Sequence, residues 1–353
     1  MDNPDIKALI SKVNKDFGDN SIVLGSDIKN QPVQRYTSGS LSLDLALGGG
    51  WPHNKWCELV GNPSSGKTVV AMKTIAANQE RDPDFTTLWV AAEELVYPWA
   101  EACGMDLDKV LIVATNVMEE VYQIVVDALA TKAFDAIVID SYPALVPGEE
   151  ASKDVKDSTV ALGAKMTSKF LRKAANTGRR SLTDDTERPW IGLIINQYRS
   201  KIGVMFGDPR TTPGGQHKDF EYFIRAEISR DEWLTDPTTK HKVGIAIKAK
   251  TIKNKTAPPQ RTATFDFYFS KFGAATPGDY DMSKELFLAA VEWGVIQVDK
   301  RTYYYGDTKL GTSKADALLT VRSTLDLSES IEAEVRRIVT PSHYLETEGG
   351  FDE

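Results

Sequence analysis

Residues 61–68 read GNPSSGKT and fit the phosphate-binding pattern G-x-x-x-x-G-K-[ST] at every fixed position. Glycines there let backbone N–H groups turn inward around phosphate oxygens, and a helix starting at the loop aims its positive end at them. Lys67 can reach β- and γ-phosphates, and the Thr68 hydroxyl can ligate Mg²⁺. The expected nucleotide contacts are Gly61, Asn62, Pro63, Ser64, Ser65, Gly66, Lys67, Thr68 and Val69. The competing reading is an ordinary Gly/Ser turn before a helix. Asp140 ends the apolar run AIVID, where a carboxylate can orient Mg²⁺, and Ser141 follows it. A water nucleophile also needs a base. Glu93 and Glu94 follow the run TTLWVAA, and either can point over the phosphates; as solvated acids at a helix start they would have no such role.

Stepping these side chains into place requires strands and helices in alternation. Trp56–Val60 reads as a buried strand and Val69–Ala76 as a helix, which is the strand–loop–helix context of the motif. Ser38–Gly50 reads as a short helix ending in a glycine-rich turn. Thr86–Ala92, Val110–Ala114, Ala136–Asp140 and Ile191–Asn196 are continuous apolar runs, hence strands buried on both faces of a parallel sheet. Asn116 is positioned to cap a helix with Glu119 as its reciprocal partner, and Val117, Val121, Ile124, Val125 and Ala128 form the expected buried stripe. Val243–Ala249 and Ala263–Phe269 alternate instead, which suits antiparallel strands extending the sheet.

The ends of the chain differ from its middle. Ile6, Leu9, Ile10, Val13 and Phe17 share one face of a helix over residues 5–17, which covers either its own core or a neighbouring subunit. Residues 20–24 could add a short strand. Thr276-Pro277-Gly278-Asp279 predicts a domain boundary. Beyond it come a helix over Ser283–Trp293, a tyrosine-rich turn at Tyr303–Gly306, helical stretches over residues 313–322 and 328–339, and an acidic end.

Two long connections lack a period. Residues 198–217, YRSKIGVMFGDPRTTPGGQH, set Arg199 and Lys201 beside the apolar cluster Ile202, Val204, Met205 and Phe206. Cations next to apolar wedges suit a nucleic-acid strand; a partly buried surface loop is the plainer alternative. Pro147–Ser158 is a second irregular segment, leaving the sheet on the side where ligands gather. Basic residues cluster at Lys165, Lys169, Arg172 and Lys173, and at Lys250, Lys253 and Lys255; such runs also occur as solvated faces.

Composition bounds the function classes. The 353 residues suggest about two domains, and 41% hydrophobic with 26% charged residues describes a globular protein. No run is long enough to span a bilayer, and the acidic start MDNPDIKALI does not read as a signal peptide. Cys57 and Cys103 sit in apolar surroundings as core thiols of a reducing compartment, and the four histidines give no zinc spacing. The net charge of −8 weighs weakly against nucleic acid, since binding depends on where the cations lie.

The separated stretches Thr37–Gly50 (TSGSLSLDLALGGG), GNPSSGKT, Phe134–Ser141 (FDAIVIDS), Ile195–Gln197 (INQ), Lys201–Gly207 (KIGVMFG) and Lys253–Lys255 (KNK) resemble, in order, the signatures of bacterial RecA-family recombinases. The likeness runs from Lys7 to about Val339, with a small insertion around Thr183–Pro189. It implies an α/β fold: a RecA-like core with a mostly parallel central sheet flanked by helices and extended antiparallel. The expected domains are a polymerisation arm and linker over residues 1–35, the ATPase core over 36–275, a small α+β domain over 276–343 that gathers duplex DNA, and an acidic tail over 344–353. The resemblance implies a DNA-dependent ATPase using ATP and Mg²⁺. It would form a homo-oligomeric helical filament on single-stranded DNA and exchange strands with homologous duplex DNA, in recombination, repair and the response to DNA damage, in the cytoplasm and away from membranes.

By position, Glu93 falls on the family's catalytic glutamate and Gln197 on the glutamine that senses the γ-phosphate. Lys253 and Lys255 fall on lysines that reach the neighbour's ATP, in the manner of arginine fingers. The first DNA loop maps to Glu149–Asp157 and the second to Arg199–Gln216. Lys165, Arg172, Arg199 and Lys201 would contact DNA backbone, Ile202 would wedge between bases, and Gly214 and Gly215 would line the loop. Ala100 replaces the adenine-stacking tyrosine, with Tyr97 or Trp99 as substitutes; Ala91 stands where an aspartate is usual, Lys165 replaces an arginine, and Arg210 an acid. A ring-forming motor such as a hexameric DNA helicase, or a scaffold that binds ATP and DNA without turnover, would share the phosphate loop, Asp140 and Glu93.

Overall fold

The computed structural model describes residues 3–18, 21–25, 33–151, 162–178, 188–200, 210–215 and 217–338. In chain order its strands are β1 (Arg35–Tyr36), β2 (Trp51–Pro52), β3 (Lys55–Gly61), β4 (Thr87–Ala91), β5 (Val110–Val113), β6 (Ala136–Asp140), β7 (Ile191–Gln197), β8 (Arg199–Ser200), β9 (Arg210–Thr211), β10 (Ile224–Thr235), β11 (Lys242–Asn254), β12 (Thr262–Tyr268), β13 (Ile296–Asp299), β14 (Thr302–Tyr305) and β15 (Thr308–Gly311). The helices are α1 (Pro4–Phe17), α2 (Leu41–Leu47), α3 (Lys67–Arg81), α4 (Tyr97–Ala102), α5 (Met118–Thr131), α6 (Gly148–Ala151), α7 (Leu162–Thr177), α8 (His217–Glu221), α9 (Met282–Glu292), α10 (Lys314–Ser323) and α11 (Leu325–Ile338).

Eight strands form one sheet in the order β12-β11-β10-β3-β7-β6-β4-β5. From β10 to β5 the pairings are parallel, while β11 and β12 add antiparallel neighbours. The continuous apolar strands are buried on both sides, as expected. Trp56, Leu88, Val90, Ile137, Ile139 and Ile194 pack with α5 and α7. Their sequence neighbours Cys57, Leu59, Trp89, Val138, Leu193 and Ile195 pack with α3 on the other face. A period of two along each strand thus feeds two cores at once. Cys57 and Cys103 are both buried free thiols. A third cluster joins Leu41 of α2 to α9, α10, α11 and the sheet β13-β14-β15.

Several local expectations are corrected. Strand β10 lies inside the sheet, between β3 and β11, although its residues gave no apolar run. Helix α5 is capped at Val117, not Asn116, and has no side-chain cap bond. The backbone of Asn116 is instead committed to Val146, whose N–H it accepts at 2.9 Å, and the Glu119 carboxylate accepts from Gly148 N–H at 2.8 Å. Val121, Val125 and Ala128 of the expected stripe are buried, but Ile124 is 38% exposed, and Tyr122, Val126 and Leu129 are buried as well, so the apolar face is wider than expected and centred away from Ile124. Residues 21–24 form no strand, and the tyrosine-rich segment at 302–305 is a strand rather than a turn. The irregular segment after Pro147 opens with α6; residues 152–158 lie outside the described ones. Among the described residues helix α1 buries none of its own: Ile6, Ile10 and Val13 are half-buried, and Leu9 and Phe17 are exposed.

Candidate nucleotide site and its loops

The site stands over the carboxyl ends of four adjacent strands, β3, β7, β6 and β4. Register brings their last residues level: Gly61 pairs with Gln197, and Asp140 with Ala91. Glu93 is tied to the same edge by its N–H, which donates to Asp140 O at 2.9 Å. Residues Pro63–Val69, Glu93, Asp140, Ser141, Ile195, Gln197 and Ile245 line a cavity of about 390 Å³. A larger cavity, of about 660 Å³, lies between α3 and α11 and carries none of the phosphate-loop residues.

The phosphate loop is specified by close approaches. A Cβ at Gly61 would lie 2.0 Å from Ile228 O of β10, so only glycine fits between β3 and its neighbour. Gly66 adopts φ +97° and caps α3, whose first turn has neither a capping side chain nor an acid. The unpaired N–H groups and the dipole of that 15-residue helix are therefore available to an anion. Lys67 is buried; its Nζ donates to Asn62 O at 2.6 Å and lies 3.5 Å from Ser65 Oγ, and burial holds its pKa below the ordinary lysine value.

Asp140 is 6% exposed. Burial pushes its carboxyl up to about 6; a hydrogen bond from Thr68 and the charge of Lys67 oppose this, while Glu93 adds to it. A buried carboxylate beside a hydroxyl is a set of hard oxygen donors with excess negative charge, which fits a divalent cation. Thr68 and Asp140 thus suit Mg²⁺, and the uncapped helix end with its glycine loop suits a triphosphate.

Glu93 and Glu94, equivalent in sequence, are separated by the structure. Glu93 lines the phosphate cavity, where its Oε1 accepts from Ser141 Oγ and, at 3.4 Å, from Gln197 Nε2. Glu94 lines a neighbouring cleft of about 350 Å³ with Val96, Tyr97 and Ile112. Tyr97 is 53% exposed in that cleft. Trp99 packs edge-on against Phe267, and Ala100 is fully buried. Of the two aromatic residues, Tyr97 lines the cleft and is the more exposed, while Trp99 is half-buried against Phe267.

The remaining expected residues lie apart. Lys253 and Lys255 do not line the phosphate cavity; Lys253 donates to Asp219 O and to Phe220 O at 3.3 Å, and Lys255 to Phe220 O at 2.7 Å. Lys165, Lys169 and Arg172 are exposed on α7, opposite its buried Phe170, Leu171 and Ala174. Arg199 is exposed on β8. Lys201 and Ile202 lie outside the described residues. The long loop is not irregular at its ends: β8 pairs antiparallel with β9, joining Arg199 to Thr211 and Ser200 to Arg210. Arg210 pairs with Glu227 and stacks 4.7 Å over the Tyr198 ring.

Sequence reading missed a buried polar group beneath this loop. Glu58 and Asn196 are fully buried and Lys218 is 1% exposed. Asn196 donates to Glu58 Oε1 at 2.8 Å and Arg225 to Oε2 at 2.6 Å. The single detectable signal was an acid inside the apolar run WCELV.

A family model describing the RecA N-terminal domain matches residues 4–273. The chain is 34% identical over 334 residues to Protein RecA of Lactobacillus delbrueckii subsp. bulgaricus, covering 94% of this chain and 96% of that protein. It is 35% identical over 331 residues to Protein RecA of Lactobacillus johnsonii, covering 93% and 86% respectively. Protein RecA of Lactococcus lactis subsp. cremoris is 35% identical over 346 residues, covering 96% of this chain and 85% of that protein. With a mostly parallel sheet, a glycine-rich loop at its carboxyl edge and relatives matched over most of their length, the chain belongs to the RecA family.

Proposed function

We infer that this chain is a DNA-dependent ATPase that polymerises on single-stranded DNA as a helical filament, pairs that strand with homologous duplex and exchanges strands, in recombination and repair. One observation carries the reading. Gln197 touches Glu93 inside the phosphate cavity and stands two residues before Arg199, where the paired foot of the long loop begins. A change at the phosphate end therefore has a short covalent path into the loop.

In this mechanism the loop N–H groups and Lys67 hold the triphosphate, and Thr68 and Asp140 hold Mg²⁺. The bound cation would neutralise phosphate charge. Glu93 takes a proton from the attacking water. Ser141 and Gln197 fix its carboxylate, so the base is oriented before the nucleotide arrives. Gln197 has a second possible partner in the γ-phosphate, and choosing between that partner and Glu93 gives the loop two states. ATP would favour the DNA-gripping state and ADP the weak one.

The lysines at 253 and 255 complete the site from the next subunit, since in their own chain they rest on α8 carbonyls. Helix α1, whose apolar face exposes Leu9 and Phe17, would seat on a neighbour as the polymerisation arm. Exposed Lys165, Arg172 and Arg199, with Lys201 and Ile202, would follow the DNA, and Gly214 and Gly215 would let the loop turn beside it. The elements after Gly278 would form the small domain that gathers duplex. Among the described residues no helix is long and apolar enough to cross a membrane, which is compatible with a cytoplasmic site of action.

Electron microscopy with single-stranded DNA and a non-hydrolysable ATP analogue tests the assembly, and phosphate release tests turnover. Extended helices and DNA-stimulated release are expected. Closed rings would indicate a helicase-like motor, and filaments without release a non-hydrolysing scaffold.

A further inference from the structure

The second loop returns to the core through Thr212, Pro213, Gly214 and Gly215, and three side chains fasten that return. Asn196 Nδ2 lies 3.4 Å from Pro213 O. The Tyr142 ring and the Lys218 stem close on Gly214, where an added Cβ would sit 2.9 Å from Lys218 Cδ and 3.2 Å from the Tyr142 hydroxyl. Lys218 Nζ donates to Thr212 Oγ1 at 2.7 Å, and also to Asp219 Oδ1 at 2.5 Å. The same ammonium stands 3.7 Å from Glu58 Oε1, the oxygen that Asn196 already holds.

A lysine that is 1% exposed is an expensive way to fill space. An apolar residue of equal length would pack on Gly214 without desolvating a charge. What the ammonium adds is a set of directed bonds, and these run to parts of different provenance. Glu58 lies on β3, three residues before the phosphate loop, and Asn196 lies next to Gln197. Thr212 belongs to the loop itself, and Asp219 O receives Lys253.

We propose that Lys218 is a positioning residue that locks the foot of the second loop to the buried Glu58–Asn196 pair, so that the phosphate-side state of Gln197 sets the loop's grip on single-stranded DNA. The proposal rests on the nucleotide-coupled DNA binding inferred above and adds the element that transmits it. Without Lys218 the loop foot would keep the β8–β9 pairing and the Asn196 contact but lose its charged tie to Glu58, and movement at Gln197 would be absorbed rather than passed on.

The test measures binding of a labelled oligothymidylate to the full-length protein with a non-hydrolysable ATP analogue and with ADP. The ratio of the two affinities is the readout. Lys218→Met should lower that ratio by at least about fivefold, the lower end of ordinary coupling factors, while nucleotide binding without DNA stays within about twofold. Thr212→Val, which removes the hydroxyl alone, should lower it in the same direction, and Thr212→Ser should restore it. If Lys218→Met fails to fold, the Thr212 pair decides the matter alone. An unchanged ratio in the folded variants, or equal weakening with both nucleotides, would overturn the role of Lys218. A wild-type ratio near one would instead overturn the underlying nucleotide switch.

Discussion

Gln197 Nε2 donates to Glu93 Oε1 across 3.4 Å, joining the end of β7 to the candidate base beyond β4. Ser141 Oγ donates to the same oxygen, so the carboxylate keeps one holder if the other leaves. Gln197→Ala should therefore leave Glu93 oriented and the phosphate loop intact, and nucleotide binding should stay within about twofold. DNA-stimulated hydrolysis should fall by at least about tenfold, since the link to the loop is cut. Parallel titrations of nucleotide binding and phosphate release separate the two effects; stimulation that survives intact would sink the coupling.

Tyr97 and Trp99 should respond in opposite ways. Tyr97 is 53% exposed at the start of α4, whereas Trp99 packs on Phe267 with ring centroids 5.8 Å apart. Base stacking on an aromatic face contributes about 1–3 kcal/mol, so Tyr97→Ala should raise the KM for ATP by about tenfold with the melting temperature unchanged, and Tyr97→Phe should preserve both. Trp99→Ala should instead lower stability, by less than the roughly 3 kcal/mol of a fully buried aromatic, because the half-buried ring packs against the edge of the core. A normal KM in Tyr97→Ala would remove Tyr97 from the nucleotide site.

Glu285 gives a pH prediction independent of the nucleotide. Its Oε2 accepts from Ser40 Oγ at 2.5 Å and Ser42 N at 3.0 Å, whereas Oε1 is buried without a partner. Burial pushes this carboxyl from 4.5 up to about 7, against those hydrogen bonds. The folded state thus holds the proton more tightly than the unfolded state. The stabilisation is complete below pH 4.5 and is lost as pH rises through about 7. It amounts to about 3 kcal/mol across the window. Glu285→Gln cannot ionise, so the difference in denaturation free energy between wild type and variant should change by that order between pH 4.5 and 7.5. A constant difference would show that Glu285 titrates normally.

What sequence could specify follows the same physics. The phosphate loop and Asp140 were legible because a glycine cradle and an acid closing an apolar strand are local patterns. The two-sided sheet was legible because Ala136–Ile139 is apolar without a break and Trp56–Val60 is interrupted only by Glu58. Strand β10 was not, since IRAEISRDEWLT carries Arg225, Glu227, Arg230, Asp231 and Glu232, and only its first half is buried on alternate residues. Arg225 is accommodated by Glu58, 167 residues earlier in the chain, and no local pattern encodes that partner. The cap of α5 was misread for a similar reason. Asn116 has the right side chain, but its backbone is paired with Val146, which a propensity cannot anticipate. The family resemblance singled out Glu93 over Glu94, but the residues themselves left the two open until the turn after β4 was seen to send one into each cavity.

Lys253 and Lys255 lie against the carbonyls of Asp219 and Phe220, and neither lines the cavity that holds Glu93. If they act on a neighbour's nucleotide, Glu93→Gln and Lys253→Ala/Lys255→Ala proteins are each inactive for different reasons. Mixed in equal amounts on single-stranded DNA, they form head-to-tail contacts in every combination. A contact that draws its Glu93 from one protein and its lysines from the other is intact, and random mixing makes about one quarter of the contacts of that kind. Phosphate release should therefore recover to about a quarter of the wild-type rate. A site completed within one chain would show no recovery, because no subunit in the mixture carries both halves.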